Sequence, residues 1–148
     1  MARPLVSTNK GRIVVADDDR TVVTLVSEFL RKKGFQVAPA FDSMQAMVGV
    51  RQASPTAVIL DIGMPGGSGM DVLKKLKAMN TTSQIPVLIL TGSVDPKAAY
   101  AARGLGADEF LTKPVNLTLL YEALLRVLGL PPEPADAGAP AGSGGSSA

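Results

Sequence analysis

The sequence predicts an α/β fold, a doubly wound parallel sheet of five strands with five helices covering its two faces. Three observations carry this expectation. Short β-branched runs alternate with helix-periodic segments five times along the chain, the pattern of a parallel sheet with crossover helices. The strand runs, such as "AVIL" and "PVLIL", are continuously apolar rather than alternating, as expected of strands buried on both faces. The chain has 148 residues, 46% hydrophobic and 19% charged, which suits one globular domain with a core of ordinary size.

Each element has its own signal. Residues 1–10 read as a flexible leader. "RIVVA", at 12–16, is short and β-branched, hence a strand. Over 20–33, Val22, Val26, Phe29 and Leu30 recur at helical spacing, and Gly34 supplies the stop. "FQVAPAF" is a weaker strand that Pro39 directs to a sheet edge, because proline cannot donate to an inner ladder. A helix over 43–53, the strand "AVIL" at 57–60 and a helix over 70–79 follow. "PVLIL", at 86–90, is a fully apolar fourth strand. Asp95 before Pro96 is an N-cap with proline at the first helical position, opening a helix to about 105. "EFLT" is the fifth strand. Asn116 caps a last helix carrying Leu117, Leu120, Leu124 and Leu128, which Gly129 and Pro131 end. The domain therefore occupies 11–130. Residues 131–148, rich in proline, glycine, serine and alanine without apolar period, are expected to be disordered.

Composition excludes several chemistries. With no cysteine and no histidine, there is no disulfide, thiolate or His-ligated zinc, no serine–histidine triad and no phosphohistidine carrier. Apolar runs fall far short of a membrane span, and the start lacks the apolar core of a signal peptide, so a cytoplasmic location without membrane contact is expected. The net charge of +2 comes from scattered cations. Arg31, Lys32 and Lys33 close one helix, where they complement its dipole, and Lys74, Lys75 and Lys77 flank Leu73 and Leu76 as a solvated face. No aromatics interleave with them in sequence to stack on bases, so no nucleic-acid partner is expected.

In an open parallel sheet the carboxyl ends of the strands share one rim, where ligands bind. Asp17, Asp18 and Asp19 follow the first strand, and Asp61 follows the third. Thr91, Gly92 and Ser93 end the fourth, and Lys113 ends the fifth. Clustered carboxylates stay ionised only if cations offset them, and one lysine is too few. Oxygen ligands alone suit a hard divalent ion, Mg2+ foremost, which binds through a few carboxylates, waters and substrate phosphate. A hydroxyl and a lysine are what phosphoryl oxygens need, and aspartate is a known nucleophile towards phosphorus. Singly, each residue has a plainer explanation: a surface acid, an N-cap for Asp19, a strand-end threonine, a surface lysine. Jointly on one rim they do not.

The stretches "IVVADDD", "VILDIGMPGGSG", "VLILTGS" and "GADEFLTKP" resemble the receiver domain of bacterial two-component response regulators, over roughly residues 11–130. Spacing agrees too: Thr91 lies 30 residues and Lys113 52 residues after Asp61. The resemblance implies a flavodoxin-like receiver fold with strand order 2-1-3-4-5. It implies Asp61 as phosphoacceptor, with Mg2+ held by Asp61, by Asp18 directly, by Asp17 through water and by the backbone carbonyl of Gly63. Thr91 would bond a phosphoryl oxygen, Lys113 would bridge to the phosphate through a cis Lys113–Pro114 peptide, and Phe110 would be the aromatic switch. As a core aromatic, Phe110 would look no different.

The resemblance also implies partners. The phosphodonor would be a histidine kinase or histidine phosphotransferase. The output surface would be the fourth helix, fifth strand and fifth helix, with exposed Tyr100 as an anchor on an alanine-rich fourth helix. A monomer is expected, with phosphorylation-linked dimerisation left open, and the chain reads as a single-domain regulator or a fragment. "MPGGSG" departs from the family's methionine- and aspartate-containing turn, so Gly67 and Ser68 would anchor that loop less. Gly63 and Ser93, both small, occupy positions that in the family modulate phosphate loss. A signalling acceptor rather than a turnover enzyme is expected. The alternative, a Mg2+-dependent phosphohydrolase of the haloacid-dehalogenase type, would carry a second aspartate where Gly63 stands.

Overall fold

Continuously apolar strands need cover on both faces, and the chain supplies it by alternating strand and helix. In a computed structural model, residues 9–64, 69–93 and 95–133 are described. The strands β1 (Arg12–Ala16), β2 (Gln36–Ala40), β3 (Ala57–Leu60), β4 (Val87–Thr91) and β5 (Glu109–Thr112) form one parallel sheet in the order β2-β1-β3-β4-β5. The helices are α1 (Arg20–Lys32), α2 (Ser43–Ala53), α3 (Gly69–Ala78), α4 (Pro96–Gly104) and α5 (Leu117–Leu128). This is the expected topology.

Because successive strand residues face opposite ways, the core divides in two. Ile13, Val15, Ile59, Leu88 and Leu90 pack with α1 and α5 residues such as Val26, Leu30, Leu120 and Leu124. Val14, Val58, Leu60, Val87 and Ile89 pack with Ala46 and Val50 of α2, Leu73 and Leu76 of α3, and Ala102 of α4. Ala102 is the one buried residue of α4, so that helix is the least anchored of the five. Tyr100, on its outer side, is 84% exposed, as expected.

Caps fix where the helices begin. Asp19 accepts the Thr21 and Val22 N–H groups, Asp42 that of Gln45, Asp95 that of Lys97 and Asn116 that of Leu119. Boundaries shift slightly from those expected. Phe35 stays outside β2 and plugs the α1–α5 side of the core. Pro86 stays outside β4, although its carbonyl accepts the Val58 N–H at 2.9 Å. Pro39 lies opposite Val15 on the edge strand, where its missing N–H costs no ladder bond. At the end of α5, Gly129 has φ +70°; its N–H bonds Arg126 O at 3.2 Å, and the Leu130 N–H reaches Leu125 O at 2.9 Å. This paired closure is a Schellman motif, and it turns the chain back.

Most of the leader (1–8), most of the tail (134–148) and the loop residues Gly67 and Ser68 lie outside the described residues. Among the described residues, no helix is long and apolar enough to cross a membrane.

Candidate functional site

The last rungs of the parallel ladder place the rim residues. The Asp17 N–H donates to Ala40 O at 3.0 Å and the Asp61 N–H to Ala16 O at 2.9 Å, so both acids leave the sheet side by side. Lys113 N donates to Thr91 O at 2.8 Å, which ties the fifth strand's end to the fourth's. The Lys113–Pro114 peptide is cis, as the resemblance implied.

Side chains then converge. The Lys113 ammonium lies 2.7 Å from Asp17 Oδ2 and 3.1 Å from Asp61 Oδ2. Asp61 Oδ1 accepts the Gly63 N–H at 2.9 Å, and Asp17 Oδ1 accepts the Asp19 N–H at 2.9 Å. Asp17, Asp61 and Thr91 are buried, whereas Asp18 is exposed at the rim. Carboxylate oxygens of Asp17, Asp18 and Asp61 all lie within 4.8 Å of one another. Asp19 is not in that group: its carboxylate caps α1, the plainer role foreseen for it.

Electrostatics separate the two buried acids. Burial pushes the Asp17 carboxyl up, and the Lys113 ammonium and the Asp19 N–H offset this only in part, so its pKa is raised. Burial acts on Asp61 in the same sense. There the Gly63 N–H, the Thr91 hydroxyl and Lys113 outweigh it, and the Asp61 pKa is lowered. Lys113 is held charged, because its two carboxylate partners outweigh its own desolvation. Asp61 is thus the buried acid kept ionised and pointed at a cation and a hydroxyl. That suits a nucleophile.

Phe110 lies three residues before Lys113 on β5, half-buried against the α2–α3–α4 side of the core. It borders a cleft of about 180 Å³ with Leu90, Leu111 and Leu120. Ser93 donates its N–H to Thr91 Oγ1 at 3.4 Å.

One residue of the site escaped the sequence reading. Gly69, the first residue of α3, donates its N–H to Ile62 O at 3.1 Å. A Cβ built there would overlap the Asp61 carbonyl oxygen and Ile62 Cα, both backbone atoms. The last glycine of "GGSG" is therefore a close-approach position against the Asp61 and Ile62 main chain.

The response regulator receiver domain family matches residues 13–125. The chain is 36% identical over 107 residues to the DNA-binding response regulator MtrA of Mycobacterium tuberculosis, covering 72% of this chain and 46% of that protein. It is 39% identical over 121 residues to the transcriptional regulatory protein PrrA of the same organism, covering 80% and 51%. It thus spans about half the length of these curated relatives. A putative response regulator from Chloroflexus aurantiacus superposes with TM-score 0.76 at 28% identity, covering 80% of this chain and 98% of that one. The chemotaxis response regulator CheY4 of Vibrio cholerae gives 0.73 at 28%, covering 78% and 97%.

Proposed function

The chain belongs to the response regulator receiver domain family, and from that premise we propose that it is a phosphoacceptor whose nucleophile is Asp61. The observation that carries this is the Lys113 ammonium held 2.7 Å and 3.1 Å from two buried carboxylates of which only Asp61 has a lowered pKa. An Asp61 oxygen attacks the phosphorus of a phosphohistidine on a histidine kinase or histidine phosphotransferase. The P–N bond breaks, and its electron pair leaves with the imidazole. The Thr91 hydroxyl donates to a phosphoryl oxygen, and Lys113 stays paired with the new negative charge.

The donor set fits Mg2+. Three carboxylates group within 4.8 Å, and the buried Asp17 Oδ2 makes no hydrogen bond of good geometry, being met by the Lys113 ammonium alone. Asp17, Asp18, Asp61 and the Gly63 carbonyl would hold the ion, which would offset carboxylate repulsion and neutralise phosphoryl charge.

The output face in this reading is α4, β5 and α5, with Phe110 and Thr91 as the moving parts and Tyr100 as the anchor. The weak hold of Ala102 on the core makes α4 the element that most easily repositions. Intact-mass measurement after incubation with acetyl phosphate tests the reading. Wild type should gain one phosphoryl group only with Mg2+ present, and Asp61→Asn none. Equal labelling of the two proteins would sink it, and sustained release of p-nitrophenol from p-nitrophenyl phosphate would point to a hydrolase instead.

A further inference from the structure

The fourth helix is held unevenly along its length, and a lysine of the third helix accounts for the difference. Pro96, Lys97, Tyr100 and Ala101 are exposed, and the one buried residue, Ala102, lies in the last turn. Among the described residues, the hydrogen bonds at the N-terminal end are local. Asp95 accepts the Lys97 N–H at 2.9 Å and donates its own N–H to Ser93 Oγ at 3.4 Å.

The C-terminal end is tied to two other elements. The Ala107 N–H returns to Ala102 O at 3.0 Å, and the Asp108 N–H donates to Val87 O at 2.8 Å. Asp108 Oδ2 accepts the Val87 N–H at 2.8 Å, so this turn is joined twice to the start of β4. Lys77, in the last turn of α3, adds the third hold. Its ammonium donates to Ile85 O at 2.8 Å, Ser83 O at 3.3 Å and Asp108 Oδ2 at 3.4 Å, three acceptors for its three protons. Its stem lies across Gly106, where φ is +106° and a Cβ would come within 3.2 Å of Lys77 Cγ. Glycine suits that turn on both counts. The Lys77 side chain is only 16% exposed, so salt screens it less than a surface lysine.

We propose that Lys77 and Asp108 form a fixed pivot for α4, so that the helix swings about residues 105–108 with its N-terminal end opening first and does not detach as a whole. The free end is the one that Gly92 and Ser93 join to Thr91, and the Ser93 N–H bonds Thr91 Oγ1 at 3.4 Å. A small shift of the Thr91 hydroxyl is thus delivered to the end of the helix that can move, and exposed Tyr100 travels with it. The pivot also has a rigid reference to the rim. The helix that carries Lys77 at one end begins at Gly69, against the Asp61 and Ile62 main chain. In its use as a switch the pivot rests on the phosphoacceptor reading of Asp61; its existence does not.

Residue-resolved amide exchange on the full chain without Mg2+ tests the pivot itself. In wild type, Ala107 and Asp108 should be protected about tenfold or more over Tyr100 and Ala101, the order expected of an element that opens from one end. Lys77→Met keeps an apolar stem and loses the three bonds. It should speed exchange at Ala107 about tenfold and leave Leu88 and Ile89 unchanged. Asp108→Ala should match it at Ala107, and the double variant should go no further, since both act through one contact. Equal protection along α4 in wild type would overturn the proposal. So would Lys77→Met exchange that is unchanged at Ala107, or raised as much at Leu88 and Ile89. Adding Mg2+ with beryllofluoride, a phosphoryl mimic, tests the pivot in use. Amide shifts should change over 95–101 and fade by 107 in wild type, but reach 107 in Lys77→Met; wild-type changes as large at 107 as at Tyr100 would refute the pivot. Changes that stop at the rim in both proteins would sink the output reading of α4, while amide exchange still decides the pivot.

Discussion

Replacing Gly69 by alanine isolates one contact that joins folding to chemistry. In an unobstructed helix this change stabilises by about 0.5–1 kcal/mol, because glycine loses more backbone entropy on folding. At Gly69 the added Cβ meets the Asp61 carbonyl oxygen and Ile62 Cα at distances real Cβ atoms do not adopt, and backbone cannot swing aside as a side-chain tip can. Relief requires α3 to move away from the β3 end, or the Asp61–Ile62 main chain to move from its ladder position. Overpacking of this kind costs about 1–3 kcal/mol, so the net expectation is a loss of about 1–2 kcal/mol, or several degrees in Tm. The Asp61 carboxylate moves with its backbone while Thr91 and Lys113 stay. A displacement near 1 Å is worth about 100-fold in rate where geometry is tight. Acetyl phosphate labelling of Gly69→Ala should therefore fall at least tenfold with the protein still folded. Gly49→Ala is the control, since its Cβ would lie 3.9 Å from a Val14 methyl, an ordinary contact. That variant should gain the helix-propensity increment and label normally. If Gly69→Ala matched Gly49→Ala in urea midpoint and labelling rate, the close-approach argument would be wrong.

Three other outcomes follow from single groups. Asp17→Asn should stabilise the metal-free domain by about 1 kcal/mol, because it removes a carboxylate that burial disfavours while keeping an acceptor for the Asp19 N–H; Mg2+ should then no longer raise its Tm. In the wild type the same group, with a pKa raised above 3.8, binds its proton more readily folded than unfolded, so its contribution to metal-free stability improves as pH falls through that raised value. Ser27, buried in α1 with an unpartnered hydroxyl, should gain about 1 kcal/mol as alanine in urea denaturation. Lys33, then Tyr121, lower the Glu133 pKa below 4.5, so the Glu133 contacts contribute fully above that pH and are lost as pH falls through the lowered value. Lys10 bonds the Tyr121 hydroxyl from the other side, and Glu122 and Arg126 line the groove between α1 and α5 beside Glu133. Acid titration of the tyrosine near-UV signal in a Tyr100→Phe background should show loss of the Glu133–Tyr121 contact only below pH 4.5, and loss at a higher pH would contradict that pairing.

How much of this was legible depended on how local each cause is. Continuous apolar runs, the Asp95–Pro96 and Asn116 starts and the Pro39 edge position are local, and they appeared where expected. The rim was legible because a parallel sheet converts "residue after the strand" into "residue at the site" without any knowledge of packing. Gly69 was not, since its constraint is a contact with main chain seven residues back across a turn, and its sequence context offers only "GGSG". Lys10, Lys33, Tyr121 and Glu133 were missed for a stronger reason. Their bonds span 111 and 100 residues, and Lys10 and Glu133 fall in segments set aside as leader and tail. Lys33, one of the cations that looked scattered in sequence, is brought onto the Phe29 and Tyr121 rings where α1 packs on α5, and Lys10 reaches Tyr121 from the segment before β1.

The sheet's alternation of side chains has a further meaning for how the molecule can be addressed. Leu88 and Leu90 belong to one half of the interior and Val87 and Ile89 to the other, so neighbouring positions on a strand answer to different exteriors. The sheet is a partition wall with two rooms, and the rim is a shared doorway. A substitution that loosens the α1–α5 side reaches α4 through the sheet backbone, around the rim, or past the β5 edge, where Phe110 of one half borders Leu90 and Leu120 of the other. Two partners occupying the opposite faces would therefore act almost as if on separate molecules, unless one of them also touched the strand ends or the β5 edge, where the two halves meet.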